Sequence, residues 1–407
     1  MSTMTDRTNK GYAFSVWLAA LLLLTGCTSH KVYVNGGLGN NQTFLASAEI
    51  FDPSLGQFIM SSANMSTGRG GHSATLLADG RVLIAGGQNP SALKSAELYD
   101  PRTDSVSPTG MMNHIHVAHT ATLLDPAVVS GPLGGAVLVA GGDDFSVPGT
   151  AELYRPLSGT FTATGNMTSP RLQHTAVLIT YCGCPADGKV LVTGGLDHGS
   201  NVLASAELYD PVTQTFTATG GMTTRRFRHT ATLLSDGRVL IAGGASSVSS
   251  SGGVNPSLSS AEIYDPRTGR FTAAGTMTSA RTAHAASLLG DGSVLLTGGQ
   301  DDHFLIVDSA ELFDPQSNNF RTLSPSCNGN PSPPGCMSVS RDFHISVRLD
   351  DGRVLIAGGT NNQGAAIATA ELYDPVSKSF APTGNLSAGR IGSVAATVVS
   401  NIRPPPR

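Results

Sequence analysis

Residues 226–280 read RFRHTATLLSDGRVLIAGGASSVSSSGGVNPSLSSAEIYDPRTGRFTAAGTMTSA, and almost everything after the first thirty residues is a variant of this stretch. It opens on Arg226 with His229 three residues on, and an apolar run then closes in Gly243-Gly244. A polar stretch of variable length leads to Ala261-Glu262-Ile263-Tyr264-Asp265-Pro266, with Phe271 beyond. Gly-Gly pairs recur at Gly36, Gly86, Gly141, Gly194, Gly243, Gly298 and Gly358. The aromatic of the Ala-Glu-x-(Tyr/Phe)-Asp-Pro step falls at Phe51, Tyr99, Tyr154, Tyr209, Tyr264, Phe313 and Tyr373. Seven residues after each stand Phe58, Val106, Phe161, Phe216, Phe271, Phe320 and Phe380. That rigid spacing beside a freely varying Gly-Gly to Ala-Glu gap is the mark of a packed hairpin next to a solvent loop.

Each unit yields four strands: HTATLL, RVLIAGG, AEIYD and RFTAAG in the quoted copy. Asp79-Gly80, Asp236-Gly237, Asp291-Gly292 and Asp351-Gly352 fall between the first and second strands, as does Asp187-Gly188. Asp-Gly is the pair that a two-residue type I′ hairpin favours, so such turns are expected there. Two units carry longer inserts instead, at 125–135 and 180–186. Pro follows the third strand in every unit, at a turn where its missing N–H costs nothing.

Six internal units begin near Arg69, His116, Arg171, Arg226, Arg281 and Arg341. A seventh is split between the two ends of the repeat region. Residues 32–37, VYVNGG, form a second strand without a first. Residues 390–400, RIGSVAATVVS, form a first strand that stops without a Gly-Gly. The fragments add up to one unit, which closes the array into a ring and removes exposed sheet edges. The expected fold is all-β: a seven-bladed β-propeller of four-stranded antiparallel blades over residues 32–400, with N- and C-terminal strands sharing one blade. The double glycine, the following Tyr-Asp and the downstream aromatic resemble the Kelch family of β-propellers, which also contains the galactose-oxidase-like domains. Family blades usually carry Trp where this chain has Phe, so the apolar wedge is kept without an indole donor.

The first segment reads as a targeting signal. Arg7 and Lys10 precede AFSVWLAALLLL at residues 13–24, twelve residues where a bilayer needs about 20. Leu24-Thr25-Gly26-Cys27 resembles the bacterial lipobox. That likeness implies a lipoprotein signal peptide at 1–26, a lipid on Cys27, a linker at 27–31 and a protein held on a membrane it does not span. Thr28 in place of Asp favours the outer membrane or cell surface of the bacterial envelope. Residues 401–407 form a Pro-rich tail.

Composition bounds the partners. The formal charge is −4, becoming −5 without residues 1–26, with 23 basic against 28 acidic residues. Nothing attracts a phosphate backbone, so no nucleic-acid partner is expected. Besides Cys27 there are four cysteines, an even number in a chain read as exported. Cys327 and Cys336 flank a small Pro- and Gly-rich loop, and a disulfide between them is expected. Cys182 and Cys184 form a second disulfide, stay free or hold a metal with help; two thiols alone are a weak metal signal.

The repeated polar residues read as scaffold. Seven third-strand glutamates (Glu49, Glu97, Glu152, Glu207, Glu262, Glu311, Glu371) and six opening arginines suit a structural network. His72, His119, His174, His229, His284 and His344 suit inter-blade hydrogen bonds. Function is expected in the non-repeated loops of one face, where Asp143, Asp144, His198, Asp301, Asp302 and His303 are the most polar candidates for a ligand site. The leading reading is a membrane-anchored monomer that binds a protein or a glycan, with no catalytic residue, metal or cofactor assigned. The alternatives are a carbohydrate-active enzyme of the mutarotase or galactose-oxidase-like type and a structural envelope component. Copper-radical oxidases of the resembled family need a Tyr crosslinked to Cys, a second Tyr and two His. Here nearly all tyrosines after the signal are third-strand repeats, which disfavours that chemistry.

Overall fold

The computed structural model describes residues 30–142, 149–248, 256–327 and 332–398. Seven four-stranded antiparallel sheets stand around a central axis. With the split unit as blade 1 and the units opening at Arg69, His116, Arg171, Arg226, Arg281 and Arg341 as blades 2 to 7, blade 5 shows the plan: Thr230–Leu233 innermost, then Val239–Ala242, Ala261–Asp265 and Arg270–Ala273 at the rim. The second strand is buried along its whole length, which is why it reads as an unbroken apolar run. Blades wedge together through apolar clusters that join neighbours; one sets Leu240 and Ile263 of blade 5 against Val294, Leu296 and Phe313 of blade 6. Among the described residues no helix is long and apolar enough to cross a membrane.

The seven-residue aromatic spacing is a cross-strand pair. Tyr264 stands opposite Phe271 in the ladder, their ring centroids 4.9 Å apart and tilted by 49°. The pair recurs in blades 3, 4, 6 and 7 at 4.8 to 5.0 Å. In blade 2 Val106 stands opposite Tyr99, and Tyr33 from blade 1 stacks on Tyr99 at 3.8 Å.

Closure occurs as the split unit requires. Lys31–Asn35 pairs antiparallel with Val394–Val398, Tyr33 opposite Ala396, so the last strand is the innermost strand of blade 1. Each Gly-Gly then joins a blade to the next. Gly244 N donates to Arg281 O at 2.7 Å, and all seven pairs make the equivalent bond, including Gly37 to Arg69 and Gly359 to Arg390. A Cβ on Gly298 would lie 2.2 Å from Arg341 O, and its φ of +60° already suits glycine.

The arginines and glutamates pair within a blade and clamp the segment arriving from the previous one. Arg226 is fully buried; it donates through Nη1 to Gly243 O and through Nη2 to Glu262 at 2.9 Å. Glu262 also accepts from Thr223 N and Thr224 N. In blade 3 His116 takes the arginine's place, its ring nitrogens 2.7 Å from Gly141 O and 3.3 Å from Glu152. Arg155, which replaces the turn Asp of that blade, reaches Pro132 O in the 125–135 insert. The six histidines do bond between blades through Nε2, as His229 does to Thr175 and Thr193. They are only half satisfied, because Nδ1 of all six is buried without a partner.

The Asp-Gly turns differ from the expected type I′ form. Leu77 N donates to Arg81 O and Gly80 N to Leu77 O, which makes a three-residue loop of Ala78, Asp79 and Gly80. Only Gly80 has positive φ, +87°, whereas a type I′ turn requires it at both central residues. Asp79 serves instead by accepting from Arg81 N. Gly237, Gly292 and Gly352 repeat the arrangement.

Cys182 is bonded to Cys184, and Cys327 to Cys336. The first bridge lies in the loop between the first two strands of blade 4. The second lies in the segment joining blades 6 and 7, on the other face.

Candidate functional site

The propeller has two unlike faces. One carries the short turns between first and second and between third and fourth strands; we call it the turn face. The loop face carries the connections from second to third strand together with the segments that join blades. The two kinds of loop-face segment are tied by backbone bridges, such as Phe227 to Ala245 and Ala245 to Ser257.

Of the rim residues singled out by sequence, His198, Asp301, Asp302 and His303 lie on the loop face, but part of the polarity there is spent locally. Asp301 Oδ1 accepts from His303 N and Leu305 N, both at 2.9 Å, and so shapes its own turn. Asp197 does the same for Gly199 and Asn201, and Asn361 for Gln363 and Ala365. Asp302 and His303 pair with each other at 3.0 Å and are largely exposed. Ligand atoms of Asp301, Asp302 and His303 lie within 4.8 Å of one another. His198, half-buried, follows Asp197 in the blade 4 turn. Asp143, Asp144 and Cys27 lie outside the described residues.

Nearer the axis the loop face holds a site that the repeat pattern conceals. Between each opening Arg (His116 in blade 3) and the following His (Ser393 in blade 1) stand two variable residues. The second of these is left-handed in all seven units: Gly71, Ala118, Gln173, Arg228, Ala283, Phe343 and Gly392 have φ between +48° and +64°. Their peptides link head to tail, Ala118 N to Gly71 O, Gln173 N to Ala118 O, and onward to Gly392 N with Phe343 O. Six such bonds encircle the mouth of the central channel. Five of these residues are not glycine, and a left-handed L-residue costs about 1 kcal/mol or more. Backbone strain concentrated in one ring is characteristic of functional sites.

The side chains presented there are not equivalent. Arg228 Cζ lies 5.0 Å from the Phe343 ring centroid and 5.6 Å from that of Phe227. Its Nε donates to Gln173 Oε1 at 2.9 Å. No described residue accepts from its Nη1 or Nη2. Beside it Asp342 occupies the first variable position of blade 7, only 6% exposed, with Oδ1 unpartnered. Thr282, equivalent in blade 6, is 1% exposed and its hydroxyl is also unpartnered. Burial pushes the Asp342 carboxyl up to about 6, opposed by the Thr360 hydroxyl and by Arg228, while burial lowers the arginine's hold on its proton. A stacked guanidinium whose Nη atoms meet no acceptor among the described residues is suited to a carboxylate, which it binds through parallel N–H bonds. The buried Asp342 and Thr282 oxygens supply hydrogen-bonding positions beside it. Sequence reading passed over these residues because the repeat frame drew attention to what recurs. Arg228 and Phe343 stand where four other units have Gly71, Ala118, Ala283 and Gly392, and Asp342 stands where Val117, Leu172, Phe227 and Ile391 are apolar; those departures were the available signal.

Asp342 has a measurable consequence. Its folded pKa is raised, so the native state binds more protons than the unfolded state between about pH 4 and 6, and this contribution falls as pH rises. Asp342→Asn is expected to raise the stability at pH 7.5 by about 2 kcal/mol and to change it little at pH 4. Paired thermal melts at the two pH values read the difference.

The ring of Gly-Gly joints, the Tyr-Phe pairs and the buried Arg–Glu clamps define a seven-bladed β-propeller with its variable residues gathered on the loop face. The chain carries Kelch motifs, the motif's model matching residues 69–110, 181–223 and 226–278. Kelch-like protein 36 from Rattus norvegicus is 29% identical over 249 residues, covering 60% of this chain and 37% of that protein. The Arabidopsis thaliana F-box/kelch-repeat protein SKIP20 is 29% identical over 118 residues, covering 29% of this chain and 26% of its own length. The chain thus spans well under half the length of these curated relatives. A fungal alcohol oxidase of the AA5 family in complex with copper is similar in fold, with TM-score 0.60 and 16% identity over 81% of this chain and 68% of that one. The described residues do not fit a copper-radical centre. Tyr33, Tyr99, Tyr154, Tyr209, Tyr264 and Tyr373 are fully buried in the blades, and Cys182, beside exposed Tyr181, is held in a disulfide on the turn face.

Proposed function

We propose that this chain is an exported binding module, lipid-anchored through Cys27, whose ligand, a protein segment or a glycan, docks over the channel mouth with a carboxylate on Arg228. The observation that carries this reading is the Arg228 guanidinium, stacked beside Phe227 and Phe343 with its Nη atoms uncommitted among the described residues. Kelch propellers are typically interaction modules, which agrees with a site made of substitutable loop residues on a rigid ring. The anchor rests on the sequence from Arg7 to Cys27. The test is array screening of residues 28–407 against acidic peptides and carboxylated and neutral glycans. Arg228→Ala is expected to weaken carboxylated hits at least tenfold, whereas an Asp302→Ala, His303→Ala variant changes them less. Full binding by Arg228→Ala would sink the assignment.

A second reading, acid–base catalysis on a sugar, is favoured by one observation: Asp342 is a buried carboxyl near pKa 6 at the edge of this site. It requires anomer interconversion, followed by NMR, to disappear in Asp342→Asn while carboxylate binding remains.

A further inference from the structure

We propose that the turn face is a membrane-contacting surface, seated on the bilayer that holds the lipid anchor, so that the channel mouth is presented away from the membrane. This rests on the lipoprotein reading of Cys27 and adds an orientation to it.

The first described residue, His30, is fastened to the turn face. Its backbone N donates to Asp350 Oδ2 at 2.9 Å, and its Nδ1 lies 2.9 Å from the same oxygen. Lys31 Nζ pairs with Asp52 at 2.9 Å. His30 shares one cleft with Pro53, Asp351 and Arg353, and another with Asp79, Pro101 and Arg102, all turn-face residues. Cys27 stands three residues earlier, and three residues span at most about 10 Å. A lipid on Cys27 therefore cannot reach around a blade to the loop face; the bilayer must lie against the turns.

The turns themselves suit that neighbour. After the Pro that follows each third strand the chain places Ser54, Arg102, Leu157, Val212, Arg267, Gln316 and Val376. None is acidic, three are apolar and two are arginines. Leu157, Val212 and Val376 are 105%, 84% and 90% exposed, more than any other large apolar side chain among the described residues. Tyr181 and Leu55, also exposed, lie on the same face. The turn aspartates fold back: Asp210 accepts from Val212 N and Asp374 from Val376 N, which leaves the apolar side chain outermost. The last described residue, Val398, lines a turn-face cleft beside His30, and residues 399–407 carry Arg403 and Arg407 without an acid. Arginines of this face pair with its turn aspartates, Arg102 with Asp100, Arg81 with Asp79, Arg238 with Asp236 and Arg353 with Asp351. The exposed apolar tips therefore stand over internally compensated charge and match the interfacial region of a bilayer.

The test uses the full chain, processed in a bacterial host and reconstituted in phosphatidylethanolamine–phosphatidylglycerol vesicles. A fluorophore is attached at Val212→Cys or Val376→Cys on the turn face, or at Gln363→Cys on the loop face. Quenching by a lipid-borne quencher is expected to be at least threefold stronger at 212 and 376 than at 363, and to be lost at all three in Cys27→Ser. Equal quenching, or stronger quenching at 363, in protein whose N-terminal peptide carries acyl mass overturns the orientation alone. An unacylated N-terminal peptide overturns the anchor reading and the orientation with it.

Discussion

Removing residues 391–407 is expected to abolish cooperative unfolding or to lower the melting temperature by about 10 °C or more. The deletion takes away the innermost strand of blade 1, with the whole ladder between Lys31–Asn35 and Val394–Val398. Ala396 and Val398 are buried, and their loss uncovers Tyr33 and the cluster around it. Each large apolar side chain re-exposed costs about 1.5–3 kcal/mol, so the total is on the order of 5 kcal/mol before counting lost hydrogen bonds. That is comparable with the whole stability of an ordinary domain, about 5–15 kcal/mol. Two joints of the ring open as well, since Gly392 N donates to Phe343 O and Ile391 N to Leu38 O. Calorimetry on the two chains decides the matter. A midpoint within about 2 °C of the full chain would mean that closure adds little and that the blades support one another without it.

The second large effect is acid unfolding driven by the inter-blade histidines. Burial, reinforced by the nearby arginine, pushes His72, His174 and His284 down to about 3; His119, His229 and His344 are also held well below the usual histidine range. With folded pKa values depressed, the unfolded chain binds more protons than the native one below about pH 6.5. The stability is complete above that pH and is lost as pH falls toward the folded values. Each such group contributes up to about 1.4 kcal/mol per pH unit, and six together rival the total stability within one or two units. Between pH 6.5 and 5 ordinary carboxylates are still ionised, so proton uptake in that window reports histidine. Unfolding at pH 5.5, followed by calorimetry in buffers of different ionisation enthalpy, is expected to take up at least about three protons. Asp342 acts in the opposite direction but is a single group. Uptake of fewer than one proton would show that these rings accept charge within the folded ring, through the Nδ1 atoms that lack partners.

Much of the architecture was legible because a repeat reports its own geometry. A constant seven residues between Tyr264 and Phe271 is the return path of one hairpin, and a half-unit at each end of the array has a single pairing that satisfies both. The turn type was misread because Asp-Gly serves two hairpins, and the deciding φ belongs to Asp79, whose side chain is tied to Arg81. The rim cluster of Asp301, Asp302 and His303 stood out by composition, whereas its role in shaping a turn depends on backbone amides that composition does not describe.

Sequence alone determined the number of blades, the closure of the ring and the residues that hold each blade, because those follow from local periodicity and from the need to leave no sheet edge unpaired. Only the tertiary structure decided that Gln173, Arg228 and Phe343, separated by 55 and 115 positions, meet at one channel mouth with Asp342 buried beside them. Their meeting is set by the ring's circumference and by left-handed backbone at equivalent points of different blades, quantities that no single repeat contains.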